Sequence, residues 1–201
     1  MKKIAIFISG RGSNLEAILE KKKSGLLTCD IAFVFSNKKE AKGLEVARNF
    51  NIPTMVYDRK EFASQSDYDE KVLSLLQEHA VEIVVLAGFM MILSHMFIEN
   101  FKGKIINIHP SLLPAFPGLN AQRRALDYGV KFAGCTVHFV TPEVDSGPII
   151  LQDIIPVFDD DSEETLMLRI LDREHIILPE ALKVILEDRY DIFGRRVVIK
   201  K

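Results

Sequence analysis

The sequence predicts an α/β fold: a doubly wound, mostly parallel sheet with helices on both faces and an antiparallel extension in its C-terminal half. Two observations predict this class. Short apolar runs of strand length alternate with longer segments of helical periodicity, which is typical of successive strand and helix units. The apolar runs are also nearly continuous rather than alternating, and this favours strands that are covered on both faces.

The first half of the chain supplies most of the predicted strands and helices. The predicted strands are Ile4–Ile8, Ile31–Phe35, Thr54–Val56, Ile83–Ala87 and Ile105–Ile108. The predicted helices between them are Ser13–Lys22, Ala41–Phe50 and Tyr68–His79. Because each helical segment can carry the chain back to the same end of the sheet, neighbouring strands are expected to run parallel.

The pattern changes after Gly134. Two strand-like runs, GCTVHFV and PIILQDIIPVF, follow each other with no helical segment between them, which predicts an antiparallel pair. A helix is predicted from about Ser162 to Glu187, because acidic residues at 159–161 and the serine supply N-cap chemistry. Pro179 is expected to divide or kink this helix.

Composition limits the class of protein. The chain has 201 residues and 48% hydrophobic content, enough for one core, so a single domain over residues 1–201 is expected. A net charge of −2 gives no electrostatic footprint of a nucleic-acid binder. The first apolar run is too short for a signal peptide or a membrane span. Cys29 and Cys135 lack paired spacing, so we expect free thiols and a cytoplasmic protein.

A glycine turn joins the first strand to the first helix. In ISGRGSNLEAI, Gly10 and Gly12 permit a backbone that exposes amides, and the amides of Gly12, Ser13 and Asn14 would lie at the positive end of the helix dipole. A dinucleotide fingerprint would have a third glycine where this chain has Leu15. The turn therefore predicts phosphate binding, although a tight turn before a helix would also explain the glycines.

The segment INIHPSLLP places polar residues in a buried strand. Asn107 and His109 are two positions apart, so they share one face, and Pro110 ends the strand. Ligands bind beyond the carboxyl ends of strands in open α/β sheets, so we expect the pair in a crevice within reach of the Gly12 turn. The alternative is a core amide and a capping histidine. Asp145, in a later loop, could orient His109 and raise its pKa, although it could also be an ordinary turn residue.

No metal site is expected. The side chains that could bind a metal are His109, His138, Asp145 and His175. Their spacing resembles no known ligand motif, so the sequence predicts chemistry without a metal.

Several stretches together resemble one family. ISGRGSNLEAI, FVFSNKK, VVLAGFMMIL, INIHPSLLPAFPG, GCTVHFVTPEVDSGPIILQ and REHIILP are similar to the glycinamide ribonucleotide formyltransferases, folate-dependent enzymes of purine biosynthesis. The resemblance runs from about Ile4 to Pro179. NIHPSLLP with a downstream DxGPI is specific to the wider formyltransferase superfamily, and SGxGSN points to the ribonucleotide branch.

The resemblance implies an activity and roles for individual residues. The formyl group of 10-formyltetrahydrofolate, a co-substrate, would pass to the amine of glycinamide ribonucleotide. Asn107, His109 and Asp145 would be catalytic, the turn Gly12–Asn14 would hold the phosphate, and Glu174 would contact the glycinamide part. The residues implied in folate binding are Met90, Met91, Ile92, Leu93, Thr141 and Val144. The implied partners are these small molecules, without nucleic acid or membrane, and the chain would be a monomer or a homodimer.

The chain also departs from the family pattern. Met91 stands where arginine is common, Gln65 where a basic residue often assists the ligands, and Asn120 and Gln122 where histidines can occur. Two alternatives remain. A formyltetrahydrofolate hydrolase would use water as the acceptor, but that family has an additional N-terminal domain, whereas the first strand here begins at Ile4. A nucleotide-binding module without catalysis is disfavoured by the three polar residues.

Overall fold

The apolar segment near the N-terminus forms the first strand, β1 (Lys3–Ile8), in the computed structural model, which describes residues 1–200. Every residue from Ile4 to Ile8 is buried, so both faces of this strand are covered. Tertiary contacts divide the chain into two compact units, Met1–Ile106 and the residues from Asn107 onward. The expectation of a single domain stays a prediction.

The first unit is a parallel α/β arrangement. After β1 its elements are α1 (Ser13–Lys23), β2 (Asp30–Ser36), α2 (Gly43–Asn49), β3 (Thr54–Val56), α3 (Gln65–Glu78), β4 (Ile83–Leu86) and α4 (His95–Asn100). β1 pairs in parallel with β2 and β4, and β2 pairs in parallel with β3, which gives the order β3-β2-β1-β4. The parallel prediction is confirmed for this unit.

Two predicted helix boundaries in this unit were wrong. α3 begins at Gln65, three residues before the predicted Tyr68, because Ser64 forms a capping box with Asp67. α2 begins two residues after the predicted Ala41, at Gly43, whose backbone N–H is held by the Gly10 carbonyl, 3.0 Å away. Both starts depend on local hydrogen bonds rather than on apolar periodicity.

The second unit contains the antiparallel strands. β5 (Ile105–His109) leads into it, followed by α5 (Ala121–Tyr128), β6 (Phe132–Phe139), β7 (Ile149–Pro156), α6 (Glu163–Leu186), β8 (Tyr190–Phe193) and β9 (Arg196–Ile199). β6 pairs antiparallel with β7, and β8 with β9, while β9 pairs in parallel with β7. The predicted fold class, including its antiparallel C-terminal part, is confirmed. α5 and the β8–β9 hairpin were not predicted.

Pro179 does not divide the last helix, so that part of the expectation was wrong, while a kink at this residue stays a prediction. α6 continues from Glu163 to Leu186 with the proline inside it. The proline and its neighbour Leu178 are both buried, and α6 packs on β6 and β7. This packing outweighs the loss of one backbone hydrogen bond. Among residues 1–200, no helix has the length and apolarity needed to cross a lipid bilayer.

The start of α6 is fixed by side chains. Ser162 and Thr165 form a capping box, as the serine predicted. The Asp161 carboxylate accepts hydrogen bonds from Arg169 at 2.6 and 3.0 Å and from the Phe158 backbone N–H at 2.8 Å. The hydrogen bond from Arg169 is the largest influence on the pKa of Asp161 and holds it well below its usual range.

Candidate active site

β5 places Asn107 and His109 on one face, as the spacing predicted. Asn107 is half-buried, and His109 is only 5% exposed although it ends the strand. Ile108, which points to the opposite face, is buried in the core. The segment after the strand is held by buried Thr136 of β6, whose hydroxyl donates to the Ser111 carbonyl at 2.6 Å.

The His109 ring lies between two hydrogen-bond acceptors. Its Nδ1 is 3.2 Å from Oδ2 of Asp145, and its Nε2 is 3.0 Å from the backbone carbonyl oxygen of Phe116. A neutral imidazole carries one proton and can donate to only one of them. A second proton on the ring would complete both hydrogen bonds.

The net direction of the His109 pKa differs from the expectation. Burial is the largest influence and lowers the pKa of His109 below its ordinary value. The carbonyl of Phe116 and the carboxylate of Asp145 act to raise this pKa, but they do not outweigh burial. The expected contribution of Asp145 is therefore present, whereas the expected rise is wrong. A neutral ring facing two acceptors is suited to take up a proton during a reaction.

Asp145 lies in a tight loop with a left-handed backbone conformation, at φ 48°. Its Oδ2 accepts a hydrogen bond from the Gly118 backbone N–H at 2.7 Å. Burial acts to raise the pKa of Asp145, but contacts with His138, the Gly118 N–H and His109 outweigh burial and hold this pKa below its usual value. The carboxylate is therefore ionised at neutral pH and can stabilise a charged His109 ring.

A close approach of two backbone segments fixes the Asp145 loop. A Cβ atom at Gly147 would lie 1.7 Å from the carbonyl oxygen of Phe139, so only glycine fits there. The Phe139 N–H also donates to the carbonyl of Pro148 at 2.9 Å. Gly147 follows Asp145 by two residues, so these contacts hold the Asp145 loop against the end of β6.

His138 of β6 belongs to the same cluster, and sequence reasoning considered it only as a metal ligand. It is 2% exposed, and its Nε2 lies 3.2 Å from Nδ2 of Asn107 and 3.6 Å from Oδ1 of Asp145. The available signal was a polar residue at alternate positions, Thr136 and His138, in an otherwise apolar strand. The second unit therefore brings together four polar side chains rather than the predicted three.

The predicted phosphate turn lies in the first unit. Gly12 has φ 84° and is the N-cap residue of α1, and a Cβ on it would lie 2.5 Å from the Cα of Gly43. The glycine is thus required for packing as well as for conformation. Ser13 is half-buried and Asn14 is buried. Phosphate binding by this turn stays a prediction.

The residues implied in folate binding are distributed over both units. In the first unit Met90 is 67% and Ile92 77% exposed, while Met91 is half-buried and Leu93 is buried. Met90 and Ile92 are therefore not part of the core, although core packing was the simpler interpretation of this apolar run. In the second unit the remaining implied ligand contacts are Thr141, half-buried, Val144, exposed, and Glu174, buried on α6.

The positions that depart from the family pattern have structural roles of their own. Gln65, at the start of α3, accepts from Arg59 Nε at 2.9 Å and donates to Asp69 at 2.8 Å. Asn120 is the N-cap residue of α5, with φ 56°, and Gln122 is half-buried in the first turn of that helix. The half-buried Met91 side chain has no charge and no N–H donor, so it cannot replace the hydrogen bonds of an arginine.

The possible metal ligands and the two cysteines can be located among the described residues. Within residues 1–200, no three or more His, Cys, Asp or Glu side chains are arranged to hold a metal ion. Cys29 and Cys135 are both buried and unpaired with each other, and burial raises the pKa of each thiol. Neither thiol has the environment of an activated nucleophile.

Comparison with known proteins identifies the relatives of this chain. Residues 2–182 match the family described as formyl transferase. The chain is 46% identical over 189 residues to the phosphoribosylglycinamide formyltransferase of Haemophilus influenzae. The matched residues cover 94% of this chain and 89% of that protein. The chain is also 46% identical over 183 residues to the trifunctional purine biosynthetic protein adenosine-3 of Gallus gallus, covering 91% of this chain and 18% of that protein. The chain therefore spans about a fifth of the length of this second relative.

Solved structures agree with the sequence relatives. Glycinamide ribonucleotide transformylase 1 from Symbiobacterium toebii superposes with a TM-score of 0.97 at 47% identity, covering 100% of this chain and 95% of that one. A formyltetrahydrofolate deformylase from Pseudomonas syringae superposes with a TM-score of 0.92 at 32% identity, covering 100% of this chain and 66% of that one. The resemblance inferred from the motifs is confirmed, and the chain belongs to the formyl transferase family.

Proposed function

We propose that this chain transfers the formyl group of 10-formyltetrahydrofolate to the amine of glycinamide ribonucleotide, giving formylglycinamide ribonucleotide and tetrahydrofolate in purine biosynthesis. The observation that carries the proposal is the buried contact between His109 and Asp145, with Asn107 on the same strand face. The name of the Haemophilus influenzae relative supports the same reaction.

The geometry supports a direct transfer. The amine attacks the formyl carbon, a C–N bond forms, and negative charge develops on the formyl oxygen. An Asn107 N–H donates a hydrogen bond to this oxygen. The attacking nitrogen loses a proton to neutral His109, and Asp145 stabilises the imidazolium that results. When the bond from the formyl carbon to the folate nitrogen breaks, that proton passes to the folate nitrogen.

The remaining roles follow the family pattern and are part of the proposal. The Gly12–Asn14 turn binds the ribonucleotide phosphate through backbone N–H groups at the start of α1. Glu174 contacts the glycinamide part. The folate contacts are Met90, Met91, Ile92, Leu93, Thr141 and Val144. Two small-molecule substrates are the proposed partners, the reaction needs no metal, and the enzyme acts in the cytoplasm as a monomer or homodimer.

A formyltetrahydrofolate hydrolase is the second candidate, because the Pseudomonas syringae deformylase is also similar to the whole chain. Both reactions use the same formyl donor, and in both a negative charge develops on the formyl oxygen. They differ in the acceptor, which is water in one case and an amine in the other.

The test is product analysis with purified protein, with and without the ribonucleotide. The proposal predicts formylglycinamide ribonucleotide, identified by mass spectrometry, and little loss of the formyl donor when the ribonucleotide is omitted. Equal loss of the formyl donor in both reactions would instead establish the hydrolase. A protein that binds the ribonucleotide but consumes no donor would be a binding module.

A further inference from the structure

The buried ring of His138 carries its proton on a nitrogen that the surroundings identify. Its Nδ1 lies 2.8 Å from the backbone carbonyl oxygen of Phe139. A carbonyl oxygen only accepts hydrogen bonds, so Nδ1 must donate and must carry a proton. Gly147 keeps this arrangement possible, because a Cβ there would lie 1.7 Å from the same carbonyl oxygen and displace it.

The other nitrogen of His138 then determines how the Asn107 amide is turned. With the ring neutral and Nδ1 protonated, Nε2 has a lone pair and can only accept a hydrogen bond. Nδ2 of Asn107 lies 3.2 Å away and supplies an N–H. The reversed amide would place Oδ1 against the lone pair of Nε2, so two acceptors would face each other. His138 therefore selects one of the two amide orientations.

A competing state would use Asp145 instead. If Nε2 of His138 also carried a proton, it would donate toward Oδ1 of Asp145, and the Asn107 amide would reverse. The distance between those atoms is 3.6 Å, longer than an ordinary hydrogen bond, whereas the contact with Asn107 is 3.2 Å. His109, at 3.2 Å, and the Gly118 N–H, at 2.7 Å, are closer to this carboxylate. At 3.6 Å the carboxylate is beyond hydrogen-bonding distance from Nε2, so Asn107 is the hydrogen-bond partner of this nitrogen.

Given the proposed formyl transfer, we propose that His138 is a positioning residue that holds the Asn107 amide with its nitrogen inward. One amide N–H bonds to His138, and the second N–H is left to donate to the formyl oxygen. The reversed amide would present a carbonyl oxygen to the developing negative charge, which is repulsive. His138 therefore acts on turnover through Asn107 and does not touch the reacting atoms.

Two substitutions separate this role from simple packing. In His138→Gln the side-chain oxygen reaches the position of Nε2 and can accept from Asn107, so kcat is expected to stay within about tenfold of the unsubstituted protein. In His138→Asn the shorter amide reaches only the position of Nδ1, so kcat is expected to fall about 10²–10³-fold with little change in either KM. Equal activities of the two variants, whether high or low, would overturn the proposal.

A measurement without turnover keeps the proposal testable if a variant does not fold. Long-range 1H–15N spectra of the unsubstituted protein report which ring nitrogen of His138 is protonated. We expect a proton on Nδ1 and a bare Nε2 at neutral pH, and a proton on Nε2 would overturn the proposal. If the unsubstituted protein formed no formylated ribonucleotide yet showed this tautomer, the proposed function would fail while the His138 arrangement stood.

Discussion

Replacing Asp145 with asparagine tests the proton-transfer part of the proposed reaction. Asparagine is nearly the same size, and its oxygen can still accept from the Gly118 N–H, which now lies 2.7 Å from the carboxylate. The same oxygen, in the place of Oδ2, would still face Nδ1 of His109, while the NH2 group would take the place of Oδ1, on the side of His138. The ring then loses the carboxylate that stabilises its charged form, and its pKa falls further.

The expected effect follows from the interaction that is removed. A hydrogen bond to a charged group contributes about 1.5–3 kcal/mol, and loss of general acid–base catalysis costs about 10²–10⁴-fold in rate. We therefore expect kcat for Asp145→Asn to fall about 10²–10⁴-fold, with the KM for the ribonucleotide within about threefold of the original value. Melting temperature should change little, because the size and the Gly118 hydrogen bond are kept.

The assay is steady-state formyl transfer, with ribonucleotide binding measured separately by calorimetry. Asp127→Asn is the matched control, because Asp127 is exposed and pairs only with Arg123 on the helix surface in the described contacts. The control is expected to have unchanged kcat. Unchanged turnover in Asp145→Asn, or a loss confined to KM, would refute the role of Asp145 in proton transfer.

Two further predictions concern the stability of α6 and the phosphate turn. Because the pKa of Asp161 is lowered in the folded chain, its stabilising effect is present above about pH 4, the ordinary carboxyl range, and is lost as pH falls through the folded pKa. Asp161→Asn should therefore reduce the free energy of unfolding at neutral pH by about 1.5–3 kcal/mol. The control Asp159→Asn, at an exposed position, should leave it unchanged. Equal denaturation midpoints of the two variants would contradict this prediction. Gly12→Ala should raise the KM for the ribonucleotide at least about tenfold, because its Cβ would lie 2.5 Å from Gly43. Gly10→Ala should leave this KM unchanged, because the space around its Cβ is open. Equal KM values of the two variants would contradict phosphate binding by the turn.

The fold was largely predictable because its strands are long apolar runs. β1 is buried on both faces, and the strands after Gly134 pair antiparallel. The apolar composition of each segment predicts how its strand is covered. The β8–β9 hairpin was not predicted, since its strands have four residues each and are mostly exposed. The continuity of α6 through Pro179 was not predicted, because tertiary burial can outweigh a local helix-breaking preference.

The candidate site was only partly predictable. The spacing of Asn107 and His109 indicates a shared strand face, and the family motif indicates Asp145. The net pKa of His109 could not be predicted, because it depends on the balance between burial and two nearby acceptors. His138 was missed as a partner of Asn107, because their contact joins residues 31 positions apart in the chain, on strands β5 and β6, which are neighbours in the sheet.

The proposed enzyme moves a formyl group to an amine rather than to water. The most direct measurement is the stoichiometry of one reaction, in which tetrahydrofolate released and formylglycinamide ribonucleotide formed are quantified together. Equal amounts of the two products are expected at every time point, with formate absent. Tetrahydrofolate released together with an equal amount of formate, and no formylated ribonucleotide, would contradict this expectation.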